Sequence, residues 1–122
     1  MRFLSIIFLL MAPWMSTQAQ SSILGTWANE ENKAHVTITS QAESLNGHIA
    51  WLAEEKAQAK IGTKVFIGLT PKGDEWKGKV YSAKRDEIFP ATFSLQENRD
   101  TMKVVVNAGF LTQTQIWTRV KT

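Results

Sequence analysis

The chain has 122 residues, with 14 Lys and Arg against 11 Asp and Glu, a formal charge of +3 and no cysteine. That length suits one hydrophobic core and not two. The missing cysteines exclude a disulfide-stapled scaffold and a Cys-ligated metal, and a small positive surplus dispersed among acids is not a nucleic-acid footprint.

Met1-Arg2, an apolar run from Phe3 to Met15 and the small and polar stretch Ser16 to Gln20 have the layout of a secretory signal peptide, 1–19, with cleavage expected after Ala19. The apolar run is too short for a comfortable membrane span, so no stable membrane insertion is expected after cleavage. The expected mature chain, 20–122, is a single domain in the periplasm or outside the cell. Losing Arg2 leaves 13 basic residues against 11 acidic ones.

After Gln20, apolar residues recur with period 2 and turn signals come every eight to twelve residues, which predicts eight strands: 25–29, 34–39, 44–52, 64–70, 75–82, 90–96, 101–107 and 111–120. Gly25-Thr26-Trp27 opens the first and Trp117-Thr118-Arg119 closes the last. In a closed antiparallel barrel these two strands are neighbours. Trp27, Trp117 and Arg119 are therefore expected to close the base, with the Arg119 guanidinium within about 6 Å of the Trp27 indole.

Three hairpins set the faces. A Ser40-Gln41-Ala42-Glu43 loop pairs Ile38 with Leu45 and Val36 with Gly47, and puts His35 opposite His48. Between the third and fourth strands, Ala53 to Ile61 is rich in helix formers and predicts a short helix or a lid-like loop. A Pro71-Lys72-Gly73-Asp74 turn sets Leu69 against Trp76, Ile67 against Gly78 and Val65 against Val80, leaving Phe66, Lys77, Lys79 and Tyr81 outside. A Glu97-Asn98-Arg99-Asp100 loop pairs Leu95 with Met102, Phe93 with Val104 and Ala91 with Val106. A loop at Asn107-Ala108-Gly109-Phe110 sends Leu111, Gln113, Gln115, Trp117 and Arg119 inward, so two glutamine amides need partners or water. The predicted fold is all-β: a small antiparallel eight-stranded up-and-down barrel.

Gly25-x-Trp27 with a late Arg119 resembles the closure signature of lipocalins and other calycins. A longer series, Gly47-His48-Ile49-Ala50-Trp51-Leu52, Ile67-Gly68-Leu69, Trp76-Lys77-Gly78-Lys79-Val80-Tyr81 and Thr114-Gln115-Ile116-Trp117-Thr118-Arg119-Val120, is similar to the exported bacterial family called domain of unknown function 2147. The resemblance implies a calycin-like barrel of the cell envelope and no established activity. Ser82 to Phe89 replaces an Asp-Pro-rich segment common in that family, so no ligand contact carries over from that loop.

Little in the chain points to catalysis. Two histidines are too few for a stable zinc site without a third ligand, and the adjacent pairs Glu54-Glu55 and Asp86-Glu87 point apart in extended chain. There is no nucleophile elbow and no Gly-rich phosphate loop. The reading is therefore of a non-enzyme with no cofactor and no metal. Trp51 and Trp76 read as plain core or as aromatic walls of a cavity; Gly47, Gly68 and Gly78 fit either sheet curvature or room for a ligand. The expected function is a periplasmic binding module for a small, mostly apolar ligand held in the barrel by Trp51, Trp76, Gly47, Gln113 and Gln115. The alternative is an envelope module with a filled core that presents Phe66 and Tyr81 to a protein or glycan.

Overall fold

A computed structural model describes residues 22–121, so the expected signal peptide and the cut after Ala19 lie outside the described residues. Eight strands in meander order form a closed antiparallel barrel: β1 (Gly25–Ala28), β2 (Ala34–Gln41), β3 (Ser44–Leu52), β4 (Lys64–Lys72), β5 (Glu75–Ser82), β6 (Glu87–Leu95), β7 (Thr101–Ala108) and β8 (Leu111–Arg119). The all-β barrel read from alternation is the fold observed. The segment 53–63 holds no helix. It is a loop with a Lys56↔Ala59 bridge, since one or two turns of helix with no apolar face to bury do not repay the cost of nucleation.

The two ends of the barrel differ. One carries Ser22–Leu24, the turns at 42–43 and 73–74, the 96–100 loop and the C-terminus. The other carries the loops 29–33, 53–63, 83–86 and the turn 109–110. The first end is closed. Ile23 is fully buried there as a plug, and its carbonyl accepts the Trp27 indole N–H at 3.1 Å. Trp27 and Arg119 are register partners on β1 and β8, and the guanidinium lies 4.4 Å from the Trp27 ring centroid. The expected Trp27–Arg119 contact is present, while Trp117, expected beside them at the base, packs in the interior with its ring centroid 5.2 Å from that of Phe66.

The β6–β7 hairpin has the expected register throughout. β8 also faces as expected, with Gln113, Gln115 and Trp117 opposite the inward Val106, Val104 and Met102, although the turn is the two residues Gly109-Phe110 rather than four. The turns at Ala42-Glu43 and Gly73-Asp74 are likewise two residues long. Shortening a loop by two slides partners without exchanging faces, so Val36, Ile38, Leu45 and Ile49 remain buried.

Two β-bulges do exchange faces, and both correct the sequence reading. In β3, Val36 pairs with Ile49 but His35 pairs with Trp51, so Ala50 is an extra residue. Trp51 therefore turns outward, while the two-residue turn has already slid His48 opposite Thr37, so His35 does not oppose it. In β4, Ile67 pairs with Lys79 and Thr70 with Lys77, leaving Gly68 and Leu69 against one residue of β5. Gly68 takes φ 59°, which costs a Cβ-bearing residue and not glycine. Leu69 stays inward, and so does Phe66, expected outside but 1% exposed. Asn46 joins this bulge to a shift in β3: its buried side-chain oxygen accepts the Gly68 N–H at 2.9 Å.

Candidate functional site

Phe66 decides where a ligand could lie. Its ring packs edge-on against Phe93 and Trp117, with centroids 5.1 and 5.2 Å away. It occupies the space that Gly47 leaves: a Cβ on Gly47 would come within 2.7 Å of the Phe66 ring and 2.9 Å of Val36. Gly47 thus admits an aromatic neighbour, which corrects the expectation of an open space beside it. Below Trp117 the barrel is packed with side chains.

The residues expected to line one cavity are dispersed. Trp51 lies on the outer face, 41% exposed, with its ring centroid 4.7 Å from that of His35. Trp76 is buried near the closed end, and its indole N–H has no acceptor among the described residues. A groove of about 610 Å³ beside Trp76 is lined mainly by polar turn residues, among them Asp74, Glu75, Gln96, Glu97 and Arg99.

Gln113 and Gln115 do line a common recess, at the open end. It holds about 600 Å³ between β5, β6, β7 and β8, with Val80, Phe89, Val106 and Leu111 as apolar walls and Lys84 and Arg85 at the rim. Its origin is local. The β6–β7 pairing stops at Ala91↔Val106, so Glu87 to Pro90 is paired only with β5. Pro90, which has no N–H to donate, sits at the step where that ladder ends. The side-chain oxygen of Gln115, one of the lining residues, accepts the Trp117 indole N–H at 3.0 Å.

The rim loop 83–86 is tied down at both sides. The Tyr81 hydroxyl donates to Asp86 at 2.7 Å, and the Arg85 N–H donates to the Ser82 hydroxyl at 3.3 Å. The Asp86 carboxylate holds the Tyr81 phenol pKa above its ordinary value, first through that hydrogen bond, with desolvation and the carboxylate charge adding to it. Arg85 lies 5.8 Å over the Phe89 ring. A second recess of about 600 Å³, walled by Leu52, Ala59 and the 53–63 loop, shares Ala83 and Lys84 with the first. Sequence reasoning missed Lys84, Arg85, Val80, Phe89 and Val106 as one constellation. The available signal was Pro90, an unusual residue inside a central strand.

Among the described residues no three His, Asp or Glu are grouped so as to hold a metal ion. His35 is engaged instead with the Asn32 side chain at 3.1 Å and with Trp51. No curated protein and no solved structure matches the chain. Residues 25–119 match the family described as "Uncharacterized protein conserved in bacteria (DUF2147)", and the chain belongs to that family.

Proposed function

We propose that this protein is a binding module for a small amphipathic ligand, mostly apolar with a polar or acidic head, seated in the recess at the open end rather than deep in the barrel. The observation that carries the reading is the mixed lining: inward-facing Val80, Val106 and Phe89 supply apolar walls, and Gln113, Gln115, Ser82, Thr112, Lys84 and Arg85 supply as many polar and basic groups as there are apolar lining residues, which suits an amphipathic ligand. Small-molecule sites have this order of volume. Gln113 and Gln115 orient the head or body, while Lys84 and Arg85 favour a negative group. Catalysis, a cofactor and a metal have no part in the proposal.

Export belongs to the same reading, motivated by the leader layout of residues 1–19. Intact mass of protein from the periplasmic fraction checks it, and a mass retaining Met1 to Ala19 counts against it.

The direct test is titration with 1-anilinonaphthalene-8-sulfonate, followed by displacement with dodecanoate. One saturable site is expected, weakened by Gln113→Trp, which fills the recess from an exposed position, and by Lys84→Glu with Arg85→Glu. Circular dichroism confirms that each variant keeps the barrel. Uptake by the Gln113→Trp chain equal to that of the parent sinks the proposal.

A further inference from the structure

The large apolar side chains exposed among the described residues are Trp51, Ile61, Ile88, Phe110 and Leu111. Every one lies at the open end of the barrel: Trp51 near the end of β3, Ile61 in the 53–63 loop, Ile88 at the start of β6, Phe110 and Leu111 at the β7–β8 turn. Single exposed apolar residues are ordinary, but their confinement to one end is not. Phe110 is the extreme case. It is 97% exposed on the tip of a two-residue turn, where it packs against nothing that folding requires.

Basic residues surround these tips. Lys33, Lys56, Lys60, Lys64, Lys84 and Arg85 are on the same end, and none of them is in an ion pair among the described residues. Acids are as numerous there, but three are turned to the protein: Glu30 accepts the Ile116 N–H, Glu55 the Ile61 N–H and Asp86 the Tyr81 hydroxyl. These carboxylates keep their charge, so the end carries no net charge, and the six bases are left to meet phosphate through short-range contacts rather than a long-range field.

We infer that the open end seats on a phospholipid bilayer, with Phe110 entering the boundary between headgroups and acyl chains and the surrounding lysines and Arg85 meeting lipid phosphates. Apolar tips combined with basic residues are the combination that holds a protein at such an interface. The barrel lies on the bilayer and does not span it, because Lys77, Lys79 and Lys103 are exposed on its outer strands where a spanning barrel carries an apolar band. A second copy fits less well. The five side chains are spread over the end of β3, the 53–63 loop, the start of β6 and the β7–β8 turn with charges between them, rather than forming one continuous apolar patch. The inference stands whether or not the recess takes a ligand.

The test is co-sedimentation of the purified protein, as the cell processes it, with sucrose-loaded vesicles of phosphatidylethanolamine and phosphatidylglycerol. Phe110→Ser is expected to lower the partition coefficient about tenfold or more while leaving the thermal melt unchanged. Lys84→Glu with Arg85→Glu is expected to lower it further and to remove part of its salt dependence. Wild-type protein that stays in the supernatant, or a Phe110→Ser chain that sediments equally, overturns the inference. A lipid-free dimer by light scattering that Phe110→Ser dissolves overturns it as well, by assigning the tip to a second copy.

Discussion

Arg119 lies over the Trp27 ring, 4.4 Å from its centroid, and reaches past it to three backbone carbonyls. Its guanidinium donates to the carbonyls of Leu24 at 2.8 Å, Ser22 at 2.9 Å and Arg99 at 3.0 Å. One side chain thus joins the segment before β1, the β6–β7 loop and the end of β8. The β1–β8 ladder has only the pairs Trp27↔Arg119 and Ala28↔Thr118, extended by the Val120 N–H donated to the Thr26 carbonyl at 2.8 Å, so the latch reinforces a short seam.

Arg119→Lys is therefore expected to destabilise the barrel by about 1–3 kcal/mol, because one ammonium cannot span carbonyls that a planar fork reaches together. Asp100→Ala should cost well under ~1 kcal/mol, since its pairs with Arg119 at 3.5 Å and with Lys121 at 3.1 Å are both partly exposed to solvent. Urea unfolding of both variants separates the two. A larger loss for Asp100→Ala would mean that the ion pair, and not the carbonyl latch, holds the seam.

Gly47→Ala is expected to lose about 1–3 kcal/mol by overpacking, because the new methyl would stand 2.7 Å from the Phe66 ring. Phe66→Leu alone should also be destabilising, by opening a cavity between Phe93 and Trp117. Combined in one chain, the two changes should cost less than their sum. A double-mutant cycle with no coupling would show that Phe66 does not occupy the space beside Gly47.

Ala42 turns the β2–β3 hairpin with φ 53°. A left-handed conformation costs a residue with a Cβ about 1–2 kcal/mol, and the greater freedom of glycine in the unfolded chain returns ~0.4–1 kcal/mol of that. The first effect wins. Ala42→Gly should raise stability by roughly 0.5 kcal/mol or slightly more, seen as a higher urea midpoint at unchanged m-value.

The architecture was legible in the sequence because period-2 alternation and turn residues act within a few positions of themselves. Strand number, meander order, the Trp27–Arg119 closure and the inward course of β8 all follow from them. The faces of Trp51 and Phe66 were not legible. Each lies beyond a bulge, and one extra residue exchanges every face after it while leaving the local composition untouched. Gly68 was a visible mark of one bulge. Asn46, which satisfies the Gly68 N–H across the strands, has nothing in its local sequence to set it apart from other polar strand residues. For Ala50 there was no comparable mark. The recess was illegible for a related reason: it comes from a ladder that stops at Ala91, and its walls come from strands far apart in the chain.

Tyr81 is the chain's only tyrosine, so its ionisation can be read in isolation as phenolate absorbance. The Asp86 carboxylate accepts its hydrogen bond and so favours the protonated phenol, placing the folded pKa above the ordinary value of about 10. A pKa raised in the folded state contributes stability that is complete below the unfolded value and is lost as pH rises through the folded one. The Tyr81–Asp86 tie should consequently be indifferent to pH across the neutral range and fail only above about pH 10. Asp86→Asn, which removes the charge, should bring the phenolate midpoint back toward the ordinary value. The same change should loosen the 83–86 loop, measured as faster amide hydrogen exchange at Lys84 and Arg85. A midpoint that Asp86→Asn leaves in place would mean that another group sets the Tyr81 pKa and that the rim loop is not held by this bond.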